Sequence, residues 1–246
     1  MALDLALVSC PDYINTNPMM YQPLSILYLA AVVEKAGYSV EIIDCRETIQ
    51  DLPDAKFYGF SCTTPQIMTA KAMAKKIKGQ TIVGGAHASL LPQDCVKHFD
   101  YVVIGEGEQV ILDILEGKLN KGITKTKREL DLNSIPYPAW DKLEHPFSDT
   151  LFPGERYGKG DLAMPIIASR GCSFSCSFCA NLHRAPVVYR SVDNIIGELK
   201  ELMNREVSHF RFEDDNFTLH PEYKTLCAEL KKLNIRYKAH TRSDLM

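Results

Sequence analysis

Short apolar, β-branched runs recur through the first hundred residues, at 3 to 10, 38 to 45, 57 to 62, 80 to 84 and 100 to 104, each closing in small, polar or glycine-rich turns. Runs of this length and composition are the pattern of buried strands. Between the first two, "PLSILYLAAVVEKAG" sets Leu24, Leu27, Tyr28, Ala31 and Val32 at helical spacing and stops at Gly37, where a left-handed residue ends a helix well. Residues 65 to 78 and 108 to 116 repeat the helical pattern, and 46 to 56 does not. Alternating strands and helices imply parallel crossovers and an α/β fold, a Rossmann-like doubly wound parallel sheet. This first domain is assigned to residues 1 to 118.

Periodicity then fails. From 119 to 160 the chain carries "NSIPYPAWDKLEHPF", with three prolines, and a glycine-rich "PGERYGKGD", which predicts an extended, surface-lying linker. Its Lys and Arg residues between 118 and 128 are expected in solvated loop, and Trp140 as a wedge between two domains. Alternation resumes over 161 to 246. A strand "LAMPIIAS" precedes a helix opened by Ser191, and a strand "HFRFED" precedes a helix opening at Pro221. The strand "IRYKAH" follows. Three parallel strands are too few to close a barrel, so the chain is expected to be part of a longer protein, its last strand leaving an edge open to pairing.

The charge balance, 28 Lys plus Arg against 31 Asp plus Glu, has no basic excess and argues against nucleic acid as partner. The N-terminus has Asp4 inside its apolar run and lacks a secretory signal pattern. No stretch is long and apolar enough to span a bilayer. Both features favour the cytoplasm, where the eight cysteines stay reduced. Cys10, Cys45, Cys62, Cys95 and Cys227 are scattered and are expected to be small buried hydrophobes.

The other three are not scattered. "SRGCSFSCSFCANLHR" places Cys172, Cys176 and Cys179 within eight residues, directly after the first strand of the second domain, where α/β folds put their chemistry. Structural zinc takes four protein ligands, usually from paired Cys-x2-4-Cys spacings; the one nearby candidate for a fourth is His183. A [4Fe–4S] cube held by three thiolates instead leaves one iron open to a small molecule. "CSFSCSFC" resembles the signature of radical S-adenosylmethionine (SAM) enzymes. That resemblance implies that the SAM amino and carboxylate groups chelate the unique iron. It also implies one-electron cleavage of the sulfonium to a 5′-deoxyadenosyl radical, or activation of the methionine for group transfer. It implies an electron donor such as flavodoxin or ferredoxin, and a small-molecule or peptide substrate.

By the same resemblance Phe178 is placed near the adenine, an acid among Glu213, Asp214 and Asp215 meets the methionine ammonium, and Arg242 meets its carboxylate. The sequence lacks the Gly-Gly-Glu form of the family's acidic motif, so the three acids are not distinguished. Solvated loop, core packing and surface arginine remain the alternative roles.

The first domain is similar to the cobalamin-binding domains that precede some radical SAM barrels. The similarity rests on "SCTTPQ", "VGGAHASLLP" and "VIGEGE" after strands three, four and five, followed by "IPYPAWD". It implies cobalamin at the strand ends, with Gly84, Gly85, Gly105 and Gly107 letting backbone approach a large flat ligand, or else serving tight turns. Thr63 and Thr64 would donate hydrogen bonds to the corrin side chains, or cap a helix. Glu106 is expected at a helix N-terminus. None of the seven histidines has an Asp two residues before it, so the Asp-x-His-x-x-Gly cobalt-ligand motif is absent. His87, in the glycine-rich loop, is the histidine of this domain at a strand end. The implied function is cobalamin-dependent radical SAM catalysis, foremost methyl transfer to an unactivated carbon. Radical cyclisation or rearrangement, and a first domain that is structural or interaction-mediating, stay open. A dinucleotide site would need Gly-x-Gly-x-x-Gly where the first turn reads "SCPDYINTNP".

Overall fold

A computed structural model describes residues 2–15, 17–19, 21–129, 131–143, 163–180 and 186–245. Its chain divides into two compact units.

In the first unit, β1 (Leu3–Ser9) leads through α1 (Leu24–Lys35) to β2 (Val40–Asp44), and a non-helical crossing over 45–54 leads to β3 (Ala55–Ser61). Then follow α2 (Ile67–Ala74), β4 (Gln80–Gly84), α3 (Gly85–Leu90), α4 (Pro92–Cys95), β5 (Tyr101–Ile104), α5 (Glu108–Leu115) and β6 (Gly122–Lys125). The sheet order is β2-β1-β3-β4-β5-β6 with every neighbouring pair parallel. Strand β1 shows why. Leu5 and Leu7 join α1 and α5 in one apolar cluster, while Ala6 and Val8 join α2 and α3 in another. A strand buried on both faces has no polar side to offer solvent, and full burial of each leucine stabilises by about 1.5–3 kcal/mol. The order reverses between β1 and β3, and such a topological switch opens a crevice at the carboxyl ends of the strands.

Two expectations are corrected. The segment from 119 is not an extended linker at its start, because β6 pairs with β5 from Tyr101↔Gly122 to Ile104↔Lys125. Arg128 is not in solvated loop; it is largely buried and paired with Glu106 at 3.3 Å. Trp140 is buried and falls within the first unit, in a 3-10 turn over Trp140–Lys142. Residues 144–162, which carry the rest of the expected linker, and His183 lie outside the described residues.

The second unit contains β7 (Ala163–Ile166), β8 (Ser169–Arg170), β9 (Val188–Tyr189), α6 (Val192–Met203), β10 (His209–Phe212), α7 (Tyr223–Leu233) and β11 (Arg236–Ala239). Strands β11, β10 and β7 form a parallel sheet in that order. All four residues of central β10 are buried, and Pro165 sits in β7, at an edge, where a missing N–H is tolerated. Ser191 caps α6 as its sequence predicts, its hydroxyl accepting from Asn194 N at 3.2 Å. Among the described residues, no helix is long and apolar enough to cross a membrane.

Candidate active site

The cysteine loop leaves the sheet through a narrow neck. Strands β8 and β9 pair antiparallel, Ser169 with Tyr189 and Arg170 with Val188, which ties the chain together on either side of the cysteine segment. The neck is anchored from beneath. Arg190 N donates to Ala168 O, its Nη1 donates to Ile167 O at 2.8 Å, and its guanidinium pairs with Glu198 of α6, both side chains buried. His220 Nε2 donates to Arg190 O at 2.8 Å while Nδ1 accepts from Glu222 N at 3.1 Å, a pattern that fixes its neutral tautomer. Nothing in the sequence pattern marked Arg190, Glu198 or His220, because their roles depend on contacts across elements.

Within the loop Cys172 and Cys176 are half-buried, Cys179 is exposed, and none is in a disulfide. The described residues contain no group of three His, Cys, Asp or Glu side chains converging on a single ion. A cube asks for a different arrangement, one thiolate to each of three separate irons. Arg242, beyond the end of β11, reaches this loop: its Nη1 lies 3.1 Å from Cys176 Sγ and its guanidinium carbon 4.0 Å from the centre of the Phe174 ring. Asp244 holds the other side of the guanidinium through two hydrogen bonds of 2.8 and 2.9 Å. Phe178 is 91% exposed, so it packs in no core and stands free beside Cys179.

The three acids after β10 separate by environment. Asp214 is buried and accepts from Ala168 N at 3.1 Å and from the Ser169 hydroxyl, tying the end of β10 to the base of the loop. Burial pushes its carboxyl up to about 6, against the hydrogen bonds from Ser169 and Ala168 that pull it down. Glu213 is exposed and pairs with Arg211, and Asp215 is exposed.

In the first unit, the loops after β1, β3, β4 and β5 hold the other sequence-selected residues. Gly85 (φ +87°) and Gly105 (φ +96°) serve close approach within the protein: a Cβ on Gly85 would meet Cys62 N at 2.8 Å, and one on Gly105 would meet Thr126 Oγ1 at 2.7 Å. A Cβ on Gly107 would meet Leu29 at 3.1 Å. Gly84 differs, since a Cβ there would meet nothing nearer than Val103 at 3.9 Å. Thr63 and Thr64 are exposed. Gln66, which the sequence did not single out, bridges the loops on either side of the switch point, its Nε2 donating to Cys10 O and its Oε1 accepting from Thr63 N and Oγ1. His87 is turned inward, with both ring nitrogens engaged, by Thr64 and by Asp94; it presents no free nitrogen to cobalt. Exposed Tyr13, Ile14, Met68, Leu90 and Leu91 all follow β1, β3 or β4. Cys10, Cys45, Cys62 and Cys95 are buried among apolar neighbours, and Cys227 is half-buried beside Tyr237.

These residues fit the groups implied. Three free thiols in one loop, with a guanidinium against one sulfur, suit a cluster. A glycine with room around it at a strand end near the switch point, with Thr63 and Thr64 exposed, suits a large flat ligand with a polar rim. Comparison with known proteins agrees. The B12 binding domain family matches residues 12–115, and the Radical SAM superfamily matches residues 166–246. The chain is 26% identical over 235 residues to bacteriochlorophyllide d C-12(1)-methyltransferase of Chlorobaculum tepidum, an alignment covering 89% of this chain and 49% of that one. It is 28% identical over 256 residues to anaerobic magnesium-protoporphyrin IX monomethyl ester cyclase of Rubrivivax gelatinosus, covering 87% and 45%. Its fold matches the radical SAM methyltransferase TsrM of Kitasatospora setae, solved with cobalamin and a [4Fe–4S] cluster, with a TM-score of 0.62 at 17% identity over 95% of this chain and 51% of that one. The chain therefore joins a B12 binding domain to a Radical SAM superfamily domain. It spans about half the length of the curated relatives it matches.

Proposed function

We propose that the chain carries the cofactor-binding part of a cobalamin-dependent radical SAM methyltransferase acting on an unactivated carbon. The observation that carries this is the three-thiol loop at the mouth of a parallel sheet, in the same chain as a B12 binding domain. Bound there, the cluster and SAM would supply one-electron chemistry at the sulfonium, and cobalamin a methyl carrier.

The chain's own residues divide the remaining work. Cys172, Cys176 and Cys179 supply the three thiolates. Asp214 holds the loop base against β10, which leaves exposed Asp215, and Glu213 in its pairing with Arg211, as the acids to face the methionine ammonium. Arg242, cationic and planar, sits where it can meet both a cluster sulfur and the methionine carboxylate. Phe178 offers an exposed ring to the adenine. Gly84 and Thr64 line the cobalamin side. The electron donor is a low-potential carrier of flavodoxin or ferredoxin class, and the substrate a small molecule or peptide.

The test is anaerobic reconstitution of the chain with iron, sulfide, hydroxocobalamin and SAM under a low-potential reductant, measuring S-adenosylhomocysteine and 5′-deoxyadenosine. S-adenosylhomocysteine that depends on cobalamin supports methyl transfer. Deoxyadenosine alone, whatever the cobalamin concentration, favours cyclisation or rearrangement, which the cyclase relative keeps as the second reading. Neither product from a chain with an intact cluster and no bound cobalamin makes the first unit structural or interaction-mediating.

A further inference from the structure

Thr64, His87, Asp94 and Lys71 stand in single file in the first unit. The Lys71 ammonium donates to Asp94 Oδ2 at 2.6 Å, the same oxygen lies 3.1 Å from His87 Nε2, and His87 Nδ1 lies 3.1 Å from Thr64 Oγ1. Lys71 and His87 are buried, and the file surfaces at Thr64. His87 is also fixed by its main chain, N donating to Cys62 O at 3.0 Å.

Counting protons gives each bond a direction. Hydrogen bonds from Lys71 and then His87 hold the Asp94 carboxyl down to about 2, so at neutral pH it only accepts, and Nε2 carries the ring proton. In the neutral imidazole Nδ1 is then bare and only accepts. With the ring neutral, the Thr64 hydroxyl points its hydrogen inward to His87, leaving its oxygen lone pairs facing outward. Thr63 has no such backing, because its hydroxyl is used by Gln66.

We propose that Thr64 Oγ1, oriented by His87 and Asp94, is a hydrogen-bond acceptor for a peripheral amide N–H of the corrin. This rests on the cobalamin reading and reverses the donor role that the sequence suggests for Thr64. The position agrees with it. Thr64 lies three residues past β3, beside the topological switch, and Gly84 at the end of neighbouring β4 leaves open space. The corrin rim is rich in primary amides, which are donors in search of fixed acceptors. His87 and Asp94 touch no ligand in this account; they are positioning residues that, with the ring neutral, set the direction of the Thr64 hydroxyl.

The test is an absorbance titration of hydroxocobalamin against the full chain. T64V removes the acceptor at nearly constant shape and is expected to weaken binding about 2- to 12-fold, the range of one neutral hydrogen bond. T64S restores it. D94N frees the His87 tautomer and is expected to cost a similar factor. The T64V/D94N double variant is expected to be no weaker than T64V alone, because both act through one bond. Additive losses, or T64V binding like the parent, overturn the proposal. Independently of cobalamin, nitrogen-15 NMR of the apo chain at pH 7 should show His87 protonated at Nε2 and bare at Nδ1; the opposite tautomer, or a ring protonated on both nitrogens, overturns the file. If the parent chain binds no cobalamin at all, the functional reading fails and takes the acceptor role with it, while the tautomer still reports whether the hydroxyl points inward.

Discussion

Arg242 Nη1 lies 3.1 Å from the sulfur of Cys176, joining the end of β11 to a loop 66 residues earlier in the chain. A donor to a cluster sulfur stabilises the more negative, reduced state and raises the reduction potential. R242Q is therefore expected to lower the cluster potential by several tens of millivolts with iron content unchanged, and R242K to lower it less. A redox titration followed by EPR checks this. An unaltered potential together with weakened SAM binding would assign Arg242 to the methionine carboxylate instead.

Asp214 sets a pH dependence. Its carboxyl is raised by burial from 3.8 to about 6 in the folded protein, so between those values the native state holds a proton that the unfolded chain has lost. Stability from this group is therefore fully present below about pH 4, falls as pH rises to about 6, and is flat above, a change of about 3 kcal/mol in all. Asp94 and Asp4, whose carboxyls are lowered to about 2, act in the opposite sense and below this window. Urea unfolding of the apo chain at pH 4.5 and 7 should show the difference, and D214N should remove most of it.

Gly84 and Gly85 are adjacent and are expected to fail differently. G85A forces a side chain onto φ +87° and against Cys62 N at 2.8 Å, and is expected to destabilise the fold by about 1–3 kcal/mol. G84A keeps an extended backbone and meets only Val103 at 3.9 Å, so stability should hold while hydroxocobalamin binding weakens. Thermal unfolding and absorbance titration of the two variants separate the outcomes.

The Arg190–Glu198 pair beneath the loop neck is buried on both sides. E198A leaves an uncompensated guanidinium and is expected to cost about 3–5 kcal/mol. Replacing both by apolar residues of similar volume (R190M/E198L) should recover most of that loss, as measured by urea unfolding. Equal losses in the single and double variants would show that the neck depends on the hydrogen bonds from Arg190 to Ile167 O and Asn194 rather than on charge balance.

The central strands were legible because burial on both faces imposes continuous apolar runs such as "LDLALVS". Strand β6 was not: "GITK" is short, begins with glycine and alternates half-buried with exposed positions, so only its pairing with β5 makes it a strand. Helix α3 opens "GAHASL", and a leading glycine has poor helix propensity; it forms where His87 N meets Cys62 O across the sheet. Strands β8 and β9 have two residues each and exist as a pair spanning the cysteine loop, which no local pattern encodes. The cysteine spacing was plain in the sequence. The division of Glu213, Asp214 and Asp215 was not, since it depends on which side of β10 meets Ala168 and Ser169.

The central claim is that Cys172, Cys176 and Cys179 together hold one [4Fe–4S] cluster with an iron left open for SAM. Anaerobic reconstitution followed by iron and sulfide quantification and EPR, with and without SAM, tests it most directly. The parent chain should bind about four irons per chain, with a reduced-cluster signal that changes on adding SAM. The C172A/C176A/C179A variant should bind none, and loss of the five other cysteines should leave assembly intact. Four irons retained in the triple variant, or a parent signal indifferent to SAM, would contradict it.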